Sequence, residues 1–201
     1  MFEPIRISVR EHTRAIEILS EAFADDPMIK YILKEKGREY VKKIYGVMFK
    51  AYSAKGNAYF DSPDMNGMIL WIDSEEDPGL GAWIRSGALK MLTFPARSLN
   101  RLMKVGRVVS KVHKECIQDQ HLHLILLAVL PRKQRMGIGK KLMNFFIREA
   151  DSRGLPGYLE TQNPSNAGFY ESFGFSVARE VEISSELKSW SMIRNTKRQN
   201  N

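Results

Sequence analysis

The longest uninterrupted apolar run in this 201-residue chain is Leu124–Leu130, seven residues closed by Pro131. A helix that crosses a bilayer needs about 20 such residues. An amphipathic surface helix spaces its apolar positions three and four apart instead of running them together. A short continuous run with a proline stop reads as a buried strand, and with His121-Leu122-His123 before it the strand covers 122–130. Nine residues follow, Pro-Arg-Lys-Gln-Arg-Met-Gly-Ile-Gly139, and then a helical pattern over 138–152. This strand–turn–helix unit places the chain in the α/β class.

The turn carries its own chemistry. Gly137 and Gly139 let a ligand approach the backbone closely and let the chain turn sharply. The helix behind them presents unpaired N–H groups and the positive end of its dipole, which suits a phosphate or pyrophosphate. Arg132, Lys133, Arg135, Lys140 and Lys141 add positive charge. The spacing Gln134-x-x-Gly137-x-Gly139 is weak by itself. It is not a P-loop, because Gly-Lys-[Ser/Thr] is missing, and it is not the G-x-G-x-x-G of a dinucleotide site early in a βαβ unit.

Charge narrows the functional classes. The chain holds 31 Lys+Arg against 23 Asp+Glu, a net +8. All of that excess lies in 81–114, where Arg85, Lys90, Arg97, Arg101, Lys104, Arg107, Lys111 and Lys114 meet no acidic residue. After Pro95 the basic positions recur at helical spacing, with Leu99, Leu102, Met103 and Val109 opposite and Val108 on the cationic side. Such a helix is either a solvated face or a surface for an anionic partner. Only Trp83 and Phe94 interleave it, too few aromatics for single-stranded nucleic acid. Cys116 stands alone, which excludes an intrachain disulfide and a cysteine zinc site. The opening Met-Phe-Glu-Pro-Ile-Arg has no signal-peptide pattern, so a cytoplasmic protein without membrane association is expected.

The remaining elements follow from periodicity and turn signals. Residues 3–10 alternate as an edge strand with Ile5, Ile7 and Val9 on one side. Helices are expected over 11–24, broken by Asp25-Asp26-Pro27, and over about 37–54. A hairpin joins 58–62 to 67–73 around Pro63-Asp64-Met65-Asn66. A short strand over 157–162, a short helix over 166–172 and a strand pair, 175–183 with 188–194, complete a mostly antiparallel sheet. The expected domain is 1–194 with a basic helical insert at about 81–115, and 195–201 is a polar tail.

The run behind the glycine turn then becomes informative as a set. Tyr158-Leu-Glu-Thr-Gln-Asn163, Asn166 and Phe169-Tyr170-Glu-Ser-Phe-Gly-Phe175 stand in register after Gln134-x-x-Gly137-x-Gly139. Over roughly Leu122–Phe175 this resembles the GNAT superfamily of acetyl-coenzyme A-dependent N-acetyltransferases. The first 120 residues are similar only in element order. The resemblance implies a mixed, mostly antiparallel sheet of about seven strands flanked by helices, with the fourth strand bulged and splayed from the fifth.

It also implies roles. Pantetheine would pair with the backbone at Leu127, Ala128 and Val129. The pyrophosphate would lie on the turn formed by Gln134, Arg135, Met136, Gly137, Ile138, Gly139 and Lys140. Asn163 and Asn166 would contact the pantetheine arm, although Asn166 also reads as a helix N-cap. Tyr170 would protonate the leaving thiolate. His123, at a fourth-strand position where relatives supply a base, would deprotonate the amine, with Glu160 as the other base candidate. His121 shares a strand face with His123; no carboxylate or cysteine cluster accompanies the pair in the sequence, so no metal is expected. Asp25 and Asp26 fit either an amine-holding role or a helix cap. Cys116 is read as incidental, and Trp71, Trp83 and Trp190 as packing anchors.

The resulting expectation is direct acetyl transfer from acetyl-coenzyme A to a primary amine, by a monomer or homodimer, with a small molecule or protein as acceptor. Two other classes remain open: a non-catalytic acyl-coenzyme A sensor, and an anionic-surface or nucleic-acid module built on the basic helix.

Overall fold

Strand β4 (Leu122–Val129) forms the middle of a seven-stranded sheet whose order is β1-β2-β3-β4-β5-β7-β6. Its partners are β1 (Ile5–Arg6), β2 (Asn57–Phe60), β3 (Gly67–Asp73), β5 (Gly157–Thr161), β6 (Ser176–Ser184) and β7 (Leu187–Arg194). The computed structural model describes residues 3–34 and 37–196. Every neighbouring pair is antiparallel except β4 and β5. Those two run parallel because the helix α6 (Ile138–Ser152) carries the chain back across the sheet between them.

Helices cover both faces. On one lie α1 (His12–Ala22), α2 (Pro27–Leu33), α3 (Arg38–Ser53) and α5 (Ala96–Cys116), whose buried residues join Met68, Leu70, Leu126, Ala128 and Leu130. On the other, α6 and α7 (Ala167–Glu171) pack against Ile69, Trp71, Leu122, Leu124 and Leu159. The short α4 (Leu80–Arg85) and a 3-10 turn at Ala88–Thr93 lead into α5. Arg194, 6% exposed, clamps the α6 face from β7: its guanidinium grips both Asp151 oxygens at 2.7 and 2.9 Å.

The even-numbered residues of β4 reveal a break in the pleat. A regular strand alternates faces with period two. Here Leu122 and Leu124 belong to the α6 side, whereas Leu126 and Ala128 belong to the α1–α3 side. The register with β3 gives the reason: Leu70 faces Leu126 and Trp71 faces Leu124, leaving Ile125 as an extra residue. One inserted residue is a β-bulge, which bends its strand and reverses the facing of everything beyond it. β5 pairs with β4 only from Leu122 to Leu124. Beyond the bulge the two strands part, as the resemblance implied.

Four expectations need correction. The edge strand shrinks to Ile5–Arg6, since Ser8 N–H and Oγ–H both donate to Glu11 Oε2 at 2.8 Å and start a 3-10 turn; Val9 is left 80% exposed. Asp25-Asp26-Pro27 does end α1, and it also opens α2: Asp26 caps the helix by accepting from Met28 N–H at 2.9 Å. In α5 the buried line is Ser98, Val105 and Val112 with Val108 beside it, whereas Met103 is 58% exposed. Gln162 lies beyond the end of β5. Of the expected polar tail, residues 197–201 lie outside the described residues.

Candidate active site at the β4–β5 splay

The splay exposes one edge of β4. Leu127, Ala128 and Val129 keep β3 as a partner on one side, and beyond Leu124 no β5 residue pairs with them on the other. Below this edge the turn from Gln134 to Gly137 and Lys140 lie exposed. Gly137 adopts φ +82°, and a Cβ built there would meet nothing within 4 Å. Arg135 is also left-handed, at φ 61°. Gly137 therefore borders open space at the start of α6, whose first N–H groups have no partner within the helix.

Of the surrounding cations, two have structural partners. Lys141 Nζ donates to the Asp61 carbonyl at 2.6 Å, and Arg132 pairs with Glu21 at 3.4 Å. Lys133, Arg135 and Lys140 form no ion pair among the described residues. Gly67, which the sequence reading passed over, holds the other wall. A Cβ there would meet Ile138 Cγ2 at 2.7 Å and the Ala128 carbonyl at 3.0 Å, so only glycine lets the β2–β3 hairpin abut the start of α6.

The two base candidates prove to be one unit. His123 pairs in register with Tyr158, and Leu124 with Leu159, so Glu160 is the first β5 residue past the last pairing with β4. Its Oε2 lies 2.7 Å from His123 Nε2, and each side chain is only 9% exposed. Burial is the largest influence on the Glu160 carboxyl and pushes its pKa up; the His123 charge and hydrogen bond, with help from His113 and Tyr158, outweigh it and hold the carboxyl below its usual range. A carboxylate only accepts, so His123 donates from Nε2, and in the neutral form of the ring the lone pair is on Nδ1. Glu160 Oε1 is buried without a hydrogen-bond partner among the described residues.

A residue missed by sequence reasoning completes the cluster. His113, from α5, stacks on Tyr158 with centroids 4.2 Å apart and planes 10° from parallel, and its ring lies 4.5 Å from that of His123. Burial, reinforced by the His123 charge, pushes its pKa down to about 4, so it is neutral at neutral pH. Burial lowers His121 likewise. His121 Nδ1 donates to the Asp119 carbonyl at 2.7 Å, so its Nε2 accepts, and His113 Nε2, 2.8 Å away, is the donor. In the sequence His113 stands only as a histidine between Lys111 and Lys114 on the cationic helix.

The rings of His113, His121 and His123 line a pocket of about 380 Å³. Its wall also includes Ser74, Glu75, Asp77, Gln118 and Gln120, so two carboxylates face it and only Lys114 among the cations.

Tyr170 is 8% exposed and sits among Phe169, Phe173 and Phe175. Burial, and after it the Asp26 carboxylate, push its phenol well above the ordinary value, so its proton is retained. Asp25 and Asp26 do not converge: Asp25, 91% exposed, pairs with Lys30 at 3.2 Å, while Asp26 is a cap. Asn163, and not Asn166, makes the cap hydrogen bond, accepting from Ser165 N–H at 3.1 Å. Burial pushes the Cys116 thiol up, away from a nucleophilic thiolate. Trp71 is a core anchor at 1% exposure, and Trp83 and Trp190 are half-buried.

Comparison with known proteins agrees with this geometry. The acetyltransferase (GNAT) family matches residues 65–175, more than half of the chain. An uncharacterised N-acetyltransferase of Schizosaccharomyces pombe is 26% identical over 192 residues, covering 89% of this chain and 76% of its own length. A Corynebacterium glutamicum structure described as histone acetyltransferase HPA2 and related acetyltransferase superposes with a TM-score of 0.70 at 18% identity, covering all of both chains. Arylalkylamine N-acetyltransferase 2 of Aedes aegypti superposes with a TM-score of 0.62 at 16% identity, over 95% of this chain and 96% of its own. A bulged central strand, a parallel neighbour splayed from it and a glycine turn at a helix start thus meet a family match over the same residues, and this chain is an acyltransferase of the GNAT family.

Proposed function

We propose that the protein is an N-acetyltransferase that moves the acetyl group of acetyl-coenzyme A directly onto a primary amine, with His123 and Glu160 as its proton-accepting pair. The observation that carries this reading is the buried 2.7 Å contact between His123 and Glu160 at the apex of the splay. Relatives whose names specify N-acetyl transfer, from Schizosaccharomyces pombe and Aedes aegypti, support the same class of acceptor.

The chain fits the cofactor on its own features. The unpaired β4 edge at Leu127–Val129 suits a pantetheine amide chain, and the open turn around Gly137 suits a pyrophosphate. Lys133, Arg135 and Lys140 supply countercharge, and Asn163 and Asn166 follow β5, the strand that parts from β4. Acetyl-coenzyme A would supply an activated acyl thioester there. Backbone N–H groups along the β4 edge would polarise a carbonyl laid against them.

Deprotonation of the acceptor falls to His123 Nδ1. Glu160 holds the ring in the tautomer that leaves this nitrogen free, and it stabilises the imidazolium formed by proton uptake. Tyr170 Oη keeps its proton at neutral pH and serves as a hydrogen-bond donor to charge developing on the departing sulfur. Glu75 and Asp77 line the 380 Å³ pocket and favour a cationic acceptor.

The test is release of free thiol from acetyl-coenzyme A across a panel of polyamines, arylalkylamines, amino acids, aminoglycosides and peptide N-termini. Amine-dependent release with at least one class is the expected result. Tight binding of coenzyme A with no amine-dependent release from any class would replace this reading with a non-catalytic acyl-coenzyme A sensor.

A further inference from the structure

We propose that His113, His123 and Glu160 form a binding site for a divalent transition metal, with zinc the best chemical fit. One ring nitrogen from each histidine and one carboxylate oxygen lie within 4.8 Å of one another. Zinc ligands at 2.0–2.2 Å in a tetrahedral shell stand roughly 3.4 Å apart, so small side-chain movements close the set. Two imidazoles and a carboxylate, with water in the fourth position, match zinc and disfavour magnesium or calcium, which take oxygen donors.

Three observations beyond proximity point to a cation. Glu160 Oε1 is buried with no hydrogen-bond partner among the described residues, a negative group whose remaining capacity the protein leaves unmet. His113 is supported from behind, because its Nε2–H donates to His121 Nε2, which the Asp119 carbonyl fixes in turn. Metal-binding histidines carry this kind of second hydrogen bond, and it leaves the His113 lone pair on Nδ1. An entry path also exists: His113 and His123 line the pocket that carries Glu75 and Asp77.

The exchange balances without an outside reagent. The proton that His123 holds on Nε2 moves to Nδ1 of the same neutral ring, and the Nε2 lone pair passes to the metal beside Glu160 Oε2. No net proton is released, and the site carries a net charge of +1 with zinc bound. The sequence alone did not lead here: it offers His121 and His123, but the carboxylate is 37 residues from His123 and the second histidine ligand sits on helix α5. One consequence rests on the catalytic reading above: metal on His123 takes Nδ1 out of its free-base state, so zinc inhibits transfer.

The experiment uses full-length protein freed of metal by a chelator and titrated with cobalt(II), followed by its visible absorption, and with zinc(II) in competition with a chromophoric indicator. The expected result is one equivalent bound with micromolar or tighter affinity. Affinity should fall at least tenfold in His113→Gln and in Glu160→Gln, and should be unchanged in Cys116→Ser, which excludes the nearby thiol. Circular dichroism reports folding, and the two ligand variants stand in for each other if one fails to fold. No stoichiometric cobalt or zinc binding by wild-type protein, or full binding by both ligand variants, overturns the site. Binding without inhibition of thiol release upholds the site and instead contradicts the role of His123 as base.

Discussion

Replacing Glu160 by glutamine separates a catalytic carboxylate from a structural one. The substitution keeps shape and removes charge from a contact 2.7 Å long whose partners are each 9% exposed. While His123 is neutral, glutamine still accepts from its Nε2–H. Once His123 takes a proton, the charge-assisted bond and its Coulomb attraction are lost. A hydrogen bond to a charged group contributes about 1.5–3 kcal/mol, and unit charges about 4 Å apart attract by about 4 kcal/mol at an effective dielectric of 20. A loss of roughly 3–4 kcal/mol in the transition state corresponds to a fall of ~10²–10³ in kcat. Stability should fall, because the partners of the Glu160 carboxylate together outweigh the burial that opposes its charge, and glutamine keeps only the neutral hydrogen bond. Thiol release at saturating acetyl-coenzyme A measures kcat, calorimetry measures coenzyme A affinity, and a thermal melt measures stability. The expected pattern is a deep loss of kcat in a variant that is still folded at the assay temperature, with coenzyme A affinity within twofold. A kcat within fivefold of wild type would refute the reasoning, as would a variant unfolded at the assay temperature, which would mark the carboxylate as structural.

Three further outcomes follow from the geometry. Tyr170→Phe removes only the hydroxyl from a buried ring, so kcat should drop by about 10²-fold while the KM for acetyl-coenzyme A changes less than twofold; unchanged turnover would remove Tyr170 from the mechanism. Gly137→Val places a branched side chain at φ +82° and into the open space beside the turn, so calorimetry should show coenzyme A binding weakened at least tenfold, and native affinity would contradict the assigned cradle. His113 binds its proton less readily in the folded chain, at about 4 against an ordinary 6.5, so the unfolded state takes up more protons between those values and stability falls as pH drops through that window. Melts of chelator-treated protein from pH 7 to pH 4.5 should show a smaller decline in His113→Gln than in wild type; identical slopes would sink the assignment.

What could be read from the sequence depended on how local the determinant was. Helix α6 keeps its expected bounds, and β4 differs by one residue, because a continuous apolar run, a proline stop and a glycine turn all act within one segment. The bulge at Ile125 is a different matter, since it exists only in the register with β3 and leaves no mark on an unbroken apolar run. His123 and Glu160 were each named as a base, yet their contact depends on the crossover through α6 and on the point where β4 and β5 part. His113 was passed over because a helix seen alone does not say which strands it covers. One local signal was present and not used, Ser8 with Glu11, which marks the turn that shortens β1; of the two readings left open for Asp25 and Asp26, the cap is the one with which Asp26 starts α2.

The central claim is that His123 and Glu160 act as one catalytic unit, and a double-mutant cycle on kcat tests it most directly. Single variants His123→Ala and Glu160→Gln and the double variant would be compared in amine-dependent thiol release, each checked for folding and coenzyme A affinity. Groups that act as a unit are strongly non-additive, so the expected double variant is no more than about threefold slower than the slower single variant. Losses that multiply through the cycle would mean that the two residues act independently, and would contradict the account.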